Sequence, residues 1–175
     1  MTGKPKSDLN DIRLLVLDVD GVLTDGTVIL SADGSEAKRF NLHDGHGIKL
    51  WHRAGLQTAF ISGREAKATT VRAEQLNITY VMQGQMRKLP AFESLLAQAD
   101  LEARQAAYVG DDLLDLPVVV RAGLGVAVAN AVEELKAQAD MVTKRNGGDG
   151  AVREVIEYIL KSTGRWQALM ERYEV

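Results

Sequence analysis

The apolar run Leu14-Leu15-Val16-Leu17 ends abruptly at Asp18-Val19-Asp20-Gly21. With Ile12 before it, the run predicts a strand over residues 12–17 that is buried on both faces, as in the middle of a parallel sheet. Residues i and i+2 of an extended segment point to the same side. The carboxylates of Asp18 and Asp20 are therefore aimed together at the carboxyl end of that strand. In open α/β sheets, ligands bind at that end. Two carboxylates so close repel unless a cation or a shared proton separates them. A divalent cation is the simplest answer, and Mg2+ suits hard carboxylate oxygens. The purely structural alternative is a solvated turn with Asp-Gly at its corner, but such a turn seldom follows so apolar a strand.

The rest of the chain repeats this punctuation. Further strands are predicted at residues 57–61, 80–82, 106–109, 125–128 and 141–142. Helices are predicted at 48–54, after Gly45 and Gly47, then at 65–75, 89–99, 113–122, 131–139 and from 150 through 159. This alternation is the signature of βαβ units. It predicts a doubly wound, Rossmann-like, mostly parallel α/β sheet with helices on both faces. A chain of 175 residues, 46% of them hydrophobic, has room for one domain spanning 1–175, with about the first ten residues flexible.

Between the first strand and the first helix, 27–31 and 36–40 flank Ala32-Asp33-Gly34-Ser35. Asp-Gly between two extended runs signals a β-hairpin. A lone hairpin is at best marginally stable in water, so Val28, Leu30 and Phe40 must pack on their own domain or on another subunit.

Composition excludes several classes. A net charge of −3 gives no basis for holding nucleic acid or anionic membrane through bulk charge. No apolar run approaches the ~18 residues that span a bilayer. The opening Met1-Thr2-Gly3-Lys4-Pro5-Lys6-Ser7-Asp8 has no apolar core of a secretion signal. Cysteine is absent, which removes disulfides, thiolate metal sites and a cysteine nucleophile. The expectation is a cytoplasmic protein with no nucleic-acid or membrane partner.

Four polar clusters follow four predicted strands: Asp18/Asp20, Ser62-Gly63-Arg64, Lys88, and Gly110-Asp111-Asp112-Leu113-Leu114-Asp115. Each has a plain structural reading. Ser62 can cap a helix, although a helix N-terminus also attracts anions. Lys88 alone is a surface lysine, and the aspartates of the last cluster suit a helix start. Their joint occurrence on one rim of a parallel sheet is harder to explain structurally.

These clusters resemble the four signature motifs of the haloacid dehalogenase-like phosphatases. Three further stretches are Phe40-Asn41-Leu42-His43-Asp44-Gly45-His46-Gly47-Ile48-Lys49, Gln83-Gly84, and Gly147-Gly148-Asp149-Gly150-Ala151-Val152-Arg153-Glu154. They are similar to the subfamily that acts on 3-deoxy-D-manno-octulosonate 8-phosphate in lipopolysaccharide precursor synthesis.

The resemblance implies an aspartyl-phosphate mechanism that the residue types also suit. Asp18 is the nucleophile and Asp20 the general acid and base. Ser62 and Lys88 hold the phosphoryl oxygens. Mg2+ is bound by Asp18, the backbone carbonyl of Asp20, and Asp111. Asp115 orients Lys88 or a metal-bound water, and Asp112 is either a supporting acid or a helix N-terminal charge. The sugar acid is faced by Asp20, the loop Asn41, Leu42, His43, Asp44 and Gly45, and by Lys49, Arg64, Arg72 and Lys88. A solvated helix face is the other reading of Arg72, and a second metal site is the other reading of His43, Asp44 and His46.

Asp18 and Ser62 lie 44 positions apart, and Ser62 and Lys88 lie 26 apart. Neither interval holds the cap domain usual in such phosphatases. Another subunit must then wall the site, and the resemblance implies a homotetramer. Three competing readings are a phosphatase for a nine-carbon sialic-type acid 9-phosphate, a phosphoacceptor signalling domain without turnover, and a capless phosphatase acting on proteins.

Overall fold

The computed structural model describes residues 5–173. In chain order its elements are β1 (Leu14–Leu17), β2 (Ile29–Leu30), β3 (Glu36–Ala37), α1 (Leu42–Arg53), β4 (Gln57–Ile61), α2 (Lys67–Leu76), β5 (Tyr80–Met82), α3 (Lys88–Ala99), β6 (Ala106–Gly110), α4 (Leu116–Arg121), β7 (Leu124–Ala127), α5 (Glu133–Gln138), β8 (Met141–Val142), α6 (Ala151–Ser162) and α7 (Arg165–Met170). Short 3-10 turns cover Leu9–Asp11, Ala103–Gln105 and Glu171–Tyr173.

Six strands form one sheet in the order β5-β4-β1-β6-β7-β8, every pair parallel. All residues of β1 and β6 are buried. Successive strand residues point to opposite faces, so both faces must be covered. The cover comes from α1 with α2 and α6, and from α3 with α4 and α5. One apolar cluster runs through the sheet and these helices, with Trp51, Phe60, Phe92 and Tyr108 among its largest members.

The chain runs outward from β1 through β4 to β5, then returns to lay β6 on the other side of β1. That reversal is the crevice where α/β sheets bind ligands. The register makes its rim level: Leu17 pairs with both Phe60 and Val109. Asp18, Ser62 and Asp111 therefore emerge side by side.

Several elements differ from expectation. Helix α1 starts six residues early, so Leu42, His43, Asp44 and Gly45 form its first turn rather than a loop. Gly45 and Gly47 read as helix breakers but sit inside the helix because neighbours press against it. A Cβ on Gly45 would lie 2.4 Å from Arg72 Nη2, and one on Gly47 would lie 2.9 Å from Arg153 Cδ. Helix α2 starts at Lys67 with Ala66 as N-cap, four residues past Ser62, so Ser62 does not cap it. Helix α4 begins only at Leu116, because residues 112–115 form a turn held by the Asp115 side chain. Helix α7 has no predicted counterpart; Trp166 and Leu169 within it pack partly on the core, and the Trp166 ring is met by Lys161 and Arg153.

The hairpin exists but pairs over two residues per strand, Ile29 with Ala37 and Leu30 with Glu36. Leu30 is 69% exposed and Ile29 43%, so their own chain leaves them uncovered. Nothing else lies between β1 and α1, and only α2 and β5 separate β4 from α3, so neither interval holds a cap domain. The lead-in expected to be flexible divides. Residues 1–4 lie outside the described residues. Beyond them, Lys6 Nζ meets Asp140 Oδ2 at 2.8 Å and donates to the Val119 carbonyl at 3.0 Å.

Candidate active site

Asp18 follows β1 directly and is 6% exposed. Its Oδ1 accepts from the Val19 amide at 2.7 Å and faces Lys88 Nζ at 2.9 Å. Lys88 is the first residue of α3, which brings a lysine distant in sequence onto the rim. Its Nζ also donates to Asp115 Oδ1 at 2.6 Å. The buried Tyr108 hydroxyl donates to the same oxygen at 2.6 Å. Asp115 Oδ2 accepts the amides of Asp111 and Asp112 at 3.0 and 3.2 Å. Lys88 is thus fixed by Asp115, and Asp115 by β6 and the turn after it.

Ser62 is buried at the end of β4, and its Oγ accepts the Arg64 amide at 3.2 Å. Asp18, Asp20, Ser62, Gly63, Arg64, Lys88, Asp111, Asp112, Leu114 and Asp115 line one pocket of about 180 Å³. All four sequence clusters therefore converge. Asp112 is exposed, with Oδ1 accepting the Leu113 amide.

The electrostatics call for a cation. Burial, then the charge of Asp115, pushes the Asp18 carboxyl well above the usual carboxylate range. The same causes, in the same order, raise Asp111 to about 6. Burial pulls the Lys88 ammonium down, but Asp18 and Asp115 outweigh it and hold it above its ordinary value. Oxygens of Asp18, Asp111 and Asp115 come within 4.8 Å of one another. Both Asp115 oxygens already have donors, which leaves Asp18 and Asp111 as side chains that could hold a metal. Asp111 Oδ1 is buried with no hydrogen-bond partner, and its carboxylate lies where a Cβ on Gly21 would stand, 2.0 Å from Oδ2. An orphaned buried carboxylate oxygen beside a second carboxylate, with glycine making room, fits a hard divalent cation.

Of the residues predicted to face the sugar acid, Asp20, Arg64 and Lys88 line this pocket, whereas residues 41–45, Lys49 and Arg72 lie outside its lining. Asn41 caps α1, its Oδ1 accepting the amides of His43 and Asp44. Leu42 is 80% exposed, and His43 and Lys49 are exposed as well. Asp44 is 1% exposed and turned inward: it accepts from Gly150 N at 3.2 Å and Arg153 N at 2.8 Å, at the start of α6. Arg72 donates to the Asn41 carbonyl at 3.3 Å and lies over the Phe40 ring. A wider groove of about 500 Å³, lined by His43, Arg145, Arg153 and Glu154 among others, shares no residue with the Asp18 pocket. It lacks the strand-end aspartates and Lys88, so the smaller pocket is the candidate site.

Sequence reasoning missed Tyr108 and the pair Lys38 and Glu36. Lys38 Nζ contacts Asp20 Oδ1 and pairs with Glu36 Oε1 at 2.9 Å; Glu36 Oε2 takes Arg64 Nη2 at 2.6 Å. The i, i+2 spacing of Glu36 and Lys38 in an extended run was the available signal.

Residues 65–156, slightly more than half of the chain, match the model of a family described as haloacid dehalogenase-like hydrolase. The chain belongs to that family. Its haloacid dehalogenase-like relatives include the 3-deoxy-D-manno-octulosonate 8-phosphate phosphatase KdsC of Escherichia coli K12, 47% identical over 155 residues, 89% of this chain and 82% of the relative. The enzyme of the same name from Yersinia pestis is 47% identical over 150 residues, 86% of this chain and 80% of the relative. Among solved structures, the 3-deoxy-D-manno-octulosonate 8-phosphate phosphatase of Moraxella catarrhalis, in complex with magnesium, phosphate and a KDO molecule, superposes with a TM-score of 0.93 at 39% identity, covering 95% of each chain. A probable YrbI family phosphatase from Pseudomonas syringae gives 0.92 at 47% identity, with 94% of each chain covered.

Proposed function

We propose that this chain is a Mg2+-dependent phosphatase that hydrolyses 3-deoxy-D-manno-octulosonate 8-phosphate to the free sugar acid and phosphate, in the cytoplasm, for lipopolysaccharide precursor synthesis. The observation that carries the reading is near-full-length identity of 47% to phosphatases of that name, with the acid and lysine constellation intact in one pocket.

Asp18 attacks phosphorus; a bond forms from its carboxylate as the bond to the sugar oxygen breaks. Asp20 gives that oxygen a proton, then takes one from the water that hydrolyses the aspartyl-phosphate, returning both carboxylates to their starting forms. Ser62 and Lys88 hold the phosphoryl oxygens, Lys88 as an ammonium kept charged by Asp18 and Asp115. Asp18, Asp111 and the Asp20 backbone carbonyl would hold Mg2+, which when bound supplies positive charge to the dianionic phosphoryl group. Arg64 stands at the pocket rim, paired with Glu36, and in this reading faces the sugar carboxylate. In this reading, residues 41–45, Lys49 and Arg72 face the sugar acid from outside the pocket lining.

A pocket of about 180 Å³ is below the roughly 300–1,000 Å³ that encloses a drug-sized ligand. It suits the phosphate end of the substrate and leaves the sugar acid for walls from another subunit. The uncovered apolar hairpin supports a homo-oligomer, a tetramer in this reading.

The test is phosphate release from 3-deoxy-D-manno-octulosonate 8-phosphate and from a nine-carbon sialic-type acid 9-phosphate, each with Mg2+ and with excess chelator. The reading expects the larger kcat/KM on the eight-carbon substrate and no turnover in chelator. A higher kcat/KM on the nine-carbon substrate would reassign the substrate.

A further inference from the structure

Lys38 carries a side chain only 1% exposed, although it follows a hairpin most of whose residues face solvent. Burying an ammonium is costly unless it is paired. Here it is paired twice, with Asp20 Oδ1 and with Glu36 Oε1. Glu36 is held in turn by Arg64. Glu36 and Lys38 project to one side of the extended segment while Ala37 between them is exposed, so β3 and the residue after it present a carboxylate and an ammonium together to the pocket rim. Asp20 sits in a turn after β1, and Lys38 takes its Oδ1 while Oδ2 is buried with no partner. One oxygen is thus anchored and the other is left open for proton transfer.

We infer that Lys38 is a positioning residue for Asp20, and that the chain Arg64–Glu36–Lys38–Asp20 lets the hairpin set the geometry of proton transfer at the sugar oxygen. This rests on the reading of Asp20 as the general acid and base. Lys38 gives up no proton in the cycle; Asp20 alone donates and regains one. Removing the ammonium leaves the Asp20 carboxylate free to turn away from the departing oxygen. Misplacing a reacting group by about 1 Å can cost on the order of a hundredfold, so the loss belongs in kcat, with KM little changed. A purely structural role, in which Lys38 only pins the hairpin, gives the same loss whether or not position 20 can transfer a proton.

A double-mutant cycle separates the two. Phosphate release from the sugar-acid phosphate is followed for the full-length wild type, Lys38→Met, Asp20→Asn and the double variant, with thermal melts as folding controls. Lys38→Met is expected to lower kcat by about tenfold to a hundredfold in the wild-type background and to change kcat little when Asp20→Asn is already present. If Lys38→Met does not fold, Lys38→Gln, which keeps a hydrogen-bond donor, replaces it in the cycle. Equal losses in both backgrounds, or undiminished kcat in the single variant, would overturn the inference while leaving the phosphatase reading intact. A wild type that releases no phosphate would instead defeat that reading.

Discussion

Asp115 commits both carboxylate oxygens within the protein, Oδ1 to Lys88 and Tyr108 and Oδ2 to the amides of Asp111 and Asp112. Its role is to hold the lysine and shape the turn, while Asp111 keeps an oxygen open. Burial and the Asp115 charge place the Asp111 carboxyl at about 6, above the roughly 3.9 of an exposed aspartate. Between about pH 4 and pH 6 the folded chain therefore binds more protons at this position than the unfolded chain does. Its metal-free stability falls as pH rises through that window. Above it, the charged carboxylate is relieved by a cation. The rise in Tm produced by Mg2+ is accordingly expected to be small at pH 5 and larger at pH 7.5, as read by thermal melts at both values. A larger Mg2+ effect at pH 5 would contradict this electrostatic account. At this scale the sequence was legible where chemistry sits at a strand end: Asp18, Ser62 and Asp111 follow buried runs directly. Tyr108 reads as one more core aromatic, and nothing in its strand marks the hydroxyl as a partner for Asp115. Lys38 was missed because its i, i+2 spacing with Glu36 marks a shared side of the chain but not that this side faces Asp20.

Helix α6 has a glycine N-cap and no side chain of its own to satisfy its first amides. Asp44, over a hundred positions earlier, supplies the missing acceptor from the first turn of α1. Losing an N-cap side chain typically costs about 0.5–2 kcal/mol. Asp44→Ala is expected to lower stability by at least that much, because two buried amides lose their acceptor, and urea melts measure it. Unchanged stability would show that Asp44 has no capping role. This contact explains why α1 was misread. Local rules treat Gly45 and Gly47 as the end of a loop, yet α6 and Arg72 demand their smallness from afar. The sheet strands, in contrast, announce themselves by apolar runs, short ones in β4 and β8. Their boundaries shifted by at most two residues. Helix α4 was predicted three residues early because the Asp115 turn replaces its first turn, and α7 escaped because a six-residue helix shows too little periodicity to read.

At the scale of the whole molecule, the return of the chain from β5 to β6 creates the crevice, and the absence of a cap leaves it open. Spacing alone made the missing cap legible, since two short intervals cannot contain a further domain. A wall from another subunit was inferred only from the missing cap and the family resemblance, because surfaces that would meet between chains leave no mark in one chain's periodicity. In the proposed oligomer the exposed Leu30 and Ile29 would pack hairpin against hairpin. Replacing Val28 and Leu30 with Asp is expected to dissociate the oligomer in light scattering and to lower phosphate release in parallel; a monomeric wild type would refute the assembly. The central claim is that one carboxylate, Asp18, receives the phosphoryl group. Its most direct measurement is steady-state phosphate release from 3-deoxy-D-manno-octulosonate 8-phosphate in excess Mg2+, with wild type and Asp18→Asn compared side by side at matched folding. The account predicts sustained turnover by the wild type and none above background by Asp18→Asn. Near-normal turnover by Asp18→Asn would contradict it.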